Sequence, residues 1–290
     1  MTKTIKNIAA SNRAKLLNLS RRTNQSFQEL VQYFAMSRFL FRLAVSDMSN
    51  FFILKGAMLF HARNLTQARS TMDIDFLGKI NNSKESIHQA VLYIINQKVD
   101  ADGLCFLNDS IVVSKIINDS EYVGRRVSFK VTLTTIQIPM QLDIGFGDKT
   151  VPEPSTIDTP TLLNYPSAKL KGYAFETSIA EKIHSMIKKE LLNSRIKDFY
   201  DIWFLFKEIK LKESCLINAI VNTLKQRDTI IDLNSVIFTD EFIHNTDKQK
   251  QWTAFCKKRN IKNAPKLFAE IIKEIFKSII PILQKAKKKM

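Results

Sequence analysis

The placement of glycine and proline constrains this chain more than any other feature. All seven glycines fall between Gly56 and Gly172, and neither glycine nor proline occurs from Tyr173 to Ala264. Both residues punctuate regular structure, so the first part reads as mixed α/β and the remainder as nearly pure helix. Residues 26–48 repeat apolar side chains at helical spacing behind Ser26, with Glu29 three residues on as in a capping box. Further helices are expected over about 56–64 and 83–98. Two strands are clear, over 125–135 and 136–146. In the first, Val127, Phe129, Val131 and Leu133 alternate with Ser128, Lys130, Thr132 and Thr134. In the second, Leu142, Ile144 and Phe146 alternate with Gln141 and Asp143. Residues 147–168 carry Pro152, Pro154, Pro160 and Pro166 and read as a loop into the helical half. There is no internal repeat. The expected organisation is N-terminal helices over 1–50 packing on the core, an α/β domain over 51–168, and a helical domain over 169–290.

At 290 residues, 45% hydrophobic and 25% charged, the chain has material for a real core. Disorder, collagen-like repeats and a small disulfide scaffold are excluded. No stretch approaches the ~18 uncharged apolar residues of a membrane span, and Met1 to Ser11 holds lysines without an apolar signal core. A cytoplasmic protein without membrane contact is expected. Cys105, Cys215 and Cys256 are scattered, as are His61, His88, His184 and His244, and none has zinc-ligand spacing. Lys and Arg number 44 against 28 Asp and Glu, a formal charge of +16. Such a balance fits a polyanionic partner whose phosphates lysines would neutralise. It equally fits a solvated lysine-rich surface, because lysine is spread along the chain. The one run, Lys285 and Lys287 to Lys289, reads as a solvated end.

Two constellations carry chemistry. The first joins Lys55-Gly56-Ala57 to the segment from Arg69 through Thr71 to Asp73-Ile74-Asp75-Phe76. On a strand over 72–77, Asp73 and Asp75 share one face while Met72, Ile74 and Phe76 pack on the other. Adjacent like charges repel unless compensated, and a divalent cation compensates them; an exposed edge strand is the plainer alternative. Asp143 points away from Leu142, Ile144 and Phe146, so it can join the same sheet surface. Three carboxylates on one face make an oxygen-rich site for one or two hard cations. Asp148, five residues on, reads as a turn residue.

The second constellation is helical. Thr177 or Ser178 is a cap candidate for a helix whose apolar stripe is Ile179, Ile183, Met186 and Ile187, with Lys182 beside it. A lysine there snorkels or aims its charge at a phosphate. In Arg195-Ile196-Lys197-Asp198-Phe199-Tyr200-Asp201, the two aspartates share a helix face with Ile202 and Leu205. Buried carboxylates need partners, and Arg195 and Lys182 are at hand. A structural ion-pair network is the competing reading.

These segments, LKGAMLFHARNLTQARSTMDIDF and SIAEKIHSMIKKELLNSRIKDFYDIWFL, resemble the AbiEii-type nucleotidyltransferase toxins, relatives of the MenT toxins. The resemblance runs from about residue 27 to 270 and includes Trp252-x-x-Phe255. It implies a DNA polymerase β-like nucleotidyltransferase fold, α/β with a mixed sheet, followed by an all-α C-terminal domain. Gly56 with its flanking Lys55 and Ala57, and Thr71, would lie at the nucleotide. Asp73, Asp75 and Asp143 would hold Mg²⁺ (or Mn²⁺), Lys182 would contact phosphates, and Asp198, with Arg195 and Asp201 beside it, would be an essential helix carboxylate. It also implies NTP as substrate, an RNA acceptor such as the tRNA end, a cognate antitoxin, and a toxin role in phage defence. Ala57 departs from the family's second glycine or serine: it supplies no hydroxyl and restricts φ > 0. Weaker nucleotide binding or an altered phosphate pose is the expected consequence.

The reading for the whole chain is metal-dependent transfer of a nucleotide from NTP to RNA. Two alternatives stand beside it. A Mg²⁺-dependent nuclease uses similar carboxylates and would cleave without NTP. A non-catalytic nucleic-acid or partner-binding homologue would keep the fold and the basic surface.

Overall fold

The computed structural model describes residues 7–63, 65, 69–116 and 124–290. The chain divides into two units, one running to Gly147 and including Ser155–Gly172, the other comprising Asp148–Pro154 and Tyr173–Met290. The first unit starts with helices α1 (Ile8–Thr23) and α2 (Phe27–Val45). Then come β1 (Phe52–Lys55), α3 (Gly56–Ala62), β2 (Ile74–Gly78), α4 (Lys84–Ile95), β3 (Leu104–Ile116), β4 (Gly124–Leu133), β5 (Ile136–Phe146), β6 (Ser155–Thr159) and β7 (Ala168–Gly172). The strands form one mixed sheet in the order β3-β4-β5-β2-β1-β7-β6. β2 runs parallel to β5 and β1 parallel to β7; the other neighbours are antiparallel.

Alternation along these strands sorts the side chains. Leu54, Ile74, Phe76, Val127, Phe129, Leu142 and Ile144 are buried, and α2 packs on β5 and β7 while α4 packs on β3. Asp75, Arg126 and Asp143 take the intervening positions and so face the other way. The strands expected over 125–135 and 136–146 are β4 and β5, joined at Thr134, whose φ of 55° closes the hairpin.

Four strands lie outside the sequence expectation: β1, β3, β6, and β7, whose Ala168–Gly172 falls at the start of the segment read as helical. Ser155–Thr159 lies inside the segment read as a loop, yet it pairs with β7 along its whole length and buries Ile157 and Thr159. The flanking prolines obscured a five-residue alternation. β3 was illegible because its register shifts between Leu107 and Val112, and such a bulge breaks the period-two pattern. Ser26 does stand at the N-cap of α2, but its side chain makes no capping bond. Glu29 instead accepts a 3.0 Å hydrogen bond from Ser70 Oγ.

A buried ion cluster ties the N-terminal helices to the strands. Arg38 Nε and Arg42 Nη1 donate to Asp102 Oδ2 at 3.0 and 2.6 Å, all three side chains being buried. Two guanidiniums on one carboxylate leave an excess positive charge, and aromatic faces meet it. Arg38 lies 4.4 Å over the Phe41 ring and 4.8 Å over Tyr165, and Arg42 lies 4.5 Å over Phe106. Asn12 on α1 donates to the Asp102 carbonyl at 2.8 Å.

The second unit holds α5 (Phe175–Lys189), α6 (Ile196–Glu208), α7 (Glu213–Gln226), α8 (Asp240–Ile243), α9 (Thr246–Lys258) and α10 (Phe268–Lys289). α5 packs on α6 and α7, and α10 packs on α6, α7, α8 and α9. Tyr200, Trp252 and Phe255 form an aromatic cluster in its core, with Trp252 Nε1 donating to the Pro265 carbonyl at 3.0 Å. The stripe Ile179, Ile183, Met186, Ile187 is buried as expected. The cap of α5 is Ala174 rather than Thr177 or Ser178. Both lie inside the first turn, where Thr177 Oγ1 donates to the Val151 carbonyl at 3.2 Å. Among the described residues no helix is long and apolar enough to cross a membrane.

Candidate active site

Four strands of the first unit bring charge together in one lateral row. Lys55 on β1 is the register partner of Asp75 on β2, Asp75 of Asp143 on β5, and Asp143 of Arg126 on β4. Because paired residues project on the same face, the row reads cation, carboxylate, carboxylate, cation across the sheet. Asp73, just ahead of β2, completes a triad: Asp73, Asp75 and Asp143 each offer a carboxylate oxygen within 4.8 Å of the others, and all three are half-buried. The shared face expected of Asp73 and Asp75 is therefore present. Met72 is not packed on the opposite face; it precedes the strand and is 37% exposed.

The approach to β2 is strapped down by short contacts. Thr71 Oγ1 donates to Asp73 Oδ1, and His61 Nε2 lies 3.1 Å from the Arg69 carbonyl oxygen. Burial holds the His61 ring below its ordinary pKa, so near neutrality the ring is uncharged. On the other side, Arg126 forks onto Asp143 with Nε–Oδ1 at 2.8 Å and Nη2–Oδ2 at 2.7 Å. Its hydrogen bonds to Asp143, with further attraction from Asp73 and Asp75, raise the Arg126 pKa above its ordinary value.

Gly56 explains itself at this site. Its φ is +68°, and a Cβ there would collide with Asp75 Oδ2 and lie 2.7 Å from Asp75 Cγ. Only glycine combines that backbone with that proximity. Ala57 carries no such demand. It lies within α3, buried, and is not among the positive-φ residues. The expectation that alanine at 57 would strain a left-handed turn is corrected: the left-handed position is Gly56. The missing hydroxyl at 57 remains a real departure.

Oxygen-only donors at this spacing suit hard divalent cations such as Mg²⁺ or Mn²⁺. The residues present therefore fit the metal that nucleotidyl transfer calls for.

The remaining expected site residues belong to the second unit. Lys182 Nζ pairs with Asp198 Oδ1 at 2.7 Å and Asp201 Oδ2 at 2.9 Å, and Arg195 Nε pairs with Asp198 Oδ2 at 2.6 Å. Both aspartates are buried. Burial opposes ionisation of Asp198, but Lys182 and Arg195 outweigh it and hold its carboxyl well below the usual range. The structure thus gathers Lys55, Gly56, Ala57, Thr71, Asp73, Asp75 and Asp143 in one unit, and Lys182, Arg195, Asp198 and Asp201 in the other.

Sequence reasoning missed two supports in the second unit. Lys248 is buried and donates through Nζ to the carbonyls of Leu191, at 2.8 Å, and Asn193. Asn193 Oδ1 in turn accepts from the Arg195 N–H at 2.9 Å, fixing the turn that presents Arg195. No local signal marks Lys248, because its targets are backbone oxygens more than fifty residues away. Asp148 is more than a turn residue: Arg227 Nη2 reaches it at 2.9 Å and Glu181 at 3.6 Å. Tyr173, wholly buried, donates to Glu181 Oε1 at 3.1 Å.

Comparison with known proteins agrees with this geometry. The family model for the nucleotidyl transferase AbiEii toxin of type IV toxin–antitoxin systems matches residues 38–274. A crystal structure from Helicobacter pylori, described as that of a candidate nucleotidyltransferase, aligns with a TM-score of 0.53 and 17% identity. It covers 91% of this chain and 97% of its own, and it supports the fold. JHP933 from Helicobacter pylori aligns at 16% identity over 90% of this chain and 92% of that one, with a TM-score of 0.46. Comparison with curated proteins finds no match. The matched segment takes in Asp73, Asp75, Asp143, Lys182, Arg195, Asp198 and Asp201, and the chain belongs to the AbiEii nucleotidyl transferase toxin family.

Proposed function

We propose that this nucleotidyltransferase moves a nucleoside monophosphate from NTP to an RNA hydroxyl, with Asp73, Asp75 and Asp143 as the residues that hold Mg²⁺ or Mn²⁺. The observation that carries the reading is the register pairing of Asp75 with Asp143, which brings them within 4.8 Å of Asp73. Three carboxylates so close are mutually repulsive, and a divalent cation is the ligand that offsets this. When bound, that cation neutralises the charge that grows as pyrophosphate leaves.

The protein's own residues divide the remaining work. Asp73 and Asp75 fix the donor end and Thr71 orients Asp73. Asp143 would lower the pKa of an attacking hydroxyl through a shared metal, or take its proton directly. The Lys55-Gly56-Ala57 turn would lie against the triphosphate, because Gly56 brings its backbone close to the Asp75 carboxylate of the metal triad. Lys182 and Arg195 serve the nucleotide phosphates, with Asp198 and Asp201 holding them in place; Arg195, 45% exposed, is the more accessible of the two cations. A +16 chain favours an RNA acceptor such as tRNA. A cognate antitoxin, phage defence and a cytoplasmic setting belong to the same reading.

The test is label transfer. Purified protein is incubated with total RNA, a divalent cation and each α-labelled NTP in turn, beside Asp73→Ala. A labelled RNA band with wild type and none with the variant is expected. RNA cleavage without NTP would instead favour a nuclease, and absence of label on any RNA would reject the acceptor.

A further inference from the structure

Arg126 is the one member of the charged row that the proposed reaction leaves unassigned. Both oxygens of Asp143 are engaged by its fork, at 2.8 and 2.7 Å, and Gln141 Nε2 adds a third donor to Oδ1 at 3.3 Å. A bidentate guanidinium–carboxylate pair is strong and directional. A cation ligating Asp143 must share it with, or displace, a fixed positive charge. The count of charge on the sheet face points the same way. Asp73, Asp75 and Asp143 contribute three negative charges, and Lys55 and Arg126 two positive ones in the same row. Lys55 Nζ extends beside Gly145, where a Cβ would come within 3.5 Å of it, two residues along the strand from Asp143. These five groups sum to one negative charge, which a single divalent cation more than balances. A second has no anion to balance it until a triphosphate arrives. Arg126 has room to leave, its side chain being 43% exposed.

We infer that Arg126 is a placeholder cation on Asp143. It limits the nucleotide-free enzyme to one divalent cation, at Asp73 and Asp75, and releases Asp143 to a second only when the nucleotide's negative charge enters. This rests on the metal-binding reading above and adds to it an order of assembly. Arg126 is a positioning residue here. Once freed, its planar fork is matched to a phosphate of the nucleotide.

The experiment counts bound Mn²⁺ by electron paramagnetic resonance titration, with and without a non-hydrolysable NTP analogue. Wild type, Arg126→Gln and Arg126→Lys are compared, each checked for folding by its melting curve without metal. Wild type is expected to bind one Mn²⁺ per chain alone and two with the analogue. Arg126→Gln should bind two without nucleotide, or bind Mn²⁺ about tenfold more tightly, as loss of a cation next to the site requires. Arg126→Lys, which keeps the charge and loses the fork, should fall between and keeps the test valid if the glutamine variant does not fold. Equal counts and affinities in wild type and Arg126→Gln would overturn the inference and leave the metal reading standing. Absence of Mn²⁺ binding in all three would overturn both.

Discussion

The carboxylate of Asp75 occupies the space that a side chain on Gly56 would need. A Cβ at 56 would overlap Asp75 Oδ2, and the backbone there has φ +68°. Gly56→Ala therefore meets two penalties, left-handed strain and displacement of a metal carboxylate. The strain alone costs about 1–3 kcal/mol, to be read by urea unfolding. Mn²⁺ affinity should fall by about tenfold or more as Asp75 moves, whereas unchanged affinity would show that Asp75 does not hold the cation.

One carboxylate, Asp102, pairs with two buried arginines, Arg38 and Arg42. Burial resists its ionisation, yet Arg42 and Arg38 together hold its pKa below the ordinary value. Asp102→Asn leaves two buried guanidiniums without a counter-charge, a loss of about 3–5 kcal/mol. Equilibrium unfolding of the variant measures it, and a change under about 1 kcal/mol would mean that the aromatic rings carry the charge alone.

The helical network predicts an asymmetry. Lys182, 12% exposed, pairs with both buried carboxylates, while Arg195, which pairs with Asp198, is 45% exposed. Lys182→Met removes a cation shared by buried Asp198 and Asp201 and should cost about 3–5 kcal/mol. The Arg195 guanidinium is already partly solvated, so Arg195→Met should cost less, about 1 kcal/mol. If Arg195 serves the nucleotide, that variant stays folded and weakens NTP binding in calorimetry. Retained NTP affinity would remove it from the site.

Acid should destabilise the protein in two windows. Burial, then Arg227 and Lys188, push the His184 pKa down to about 4 from 6.5, with Glu181 opposing. The unfolded chain therefore binds a proton that the folded chain refuses, and stability falls as pH drops from about 6.5 toward 4. Asp198 and Asp102 have depressed pKa values; their contribution is present above about pH 4 and is lost below it. Melting temperatures across pH check this, and His184→Gln should flatten the upper window while leaving the lower one. An unchanged upper slope in that variant would assign the effect elsewhere, His61 being the other histidine held low.

How far the sequence is legible depends on whether an interaction is local. β4 and β5 show their period because each covers a continuous core on one side, and Asp143 stands out against Leu142 and Ile144. Asp198 and Asp201 are paired by helix geometry alone, and Arg195 sits one turn away. Arg126 was equally visible as an outward residue of β4, but only the hairpin register shows that it meets Asp143. The Asp102 cluster spans 64 residues to Arg38, and Lys248 reaches 57 residues back to Leu191. Tertiary packing decides such partners, so no spacing rule finds them. Ala57 shows the opposite error, a strain inferred from a motif that the backbone places one residue earlier.

The central claim is that Asp73, Asp75 and Asp143 form one cation site for Mg²⁺- or Mn²⁺-nucleotide. Crystals of the protein soaked with Mn²⁺ and a non-hydrolysable NTP analogue, measured at the manganese edge, test it most directly. An anomalous peak is expected among the three carboxylates, about 2.0–2.3 Å from their oxygens as hard-cation ligation requires, beside the triphosphate. A nucleotide bound elsewhere, or a triad without a peak at saturating Mn²⁺, would contradict it.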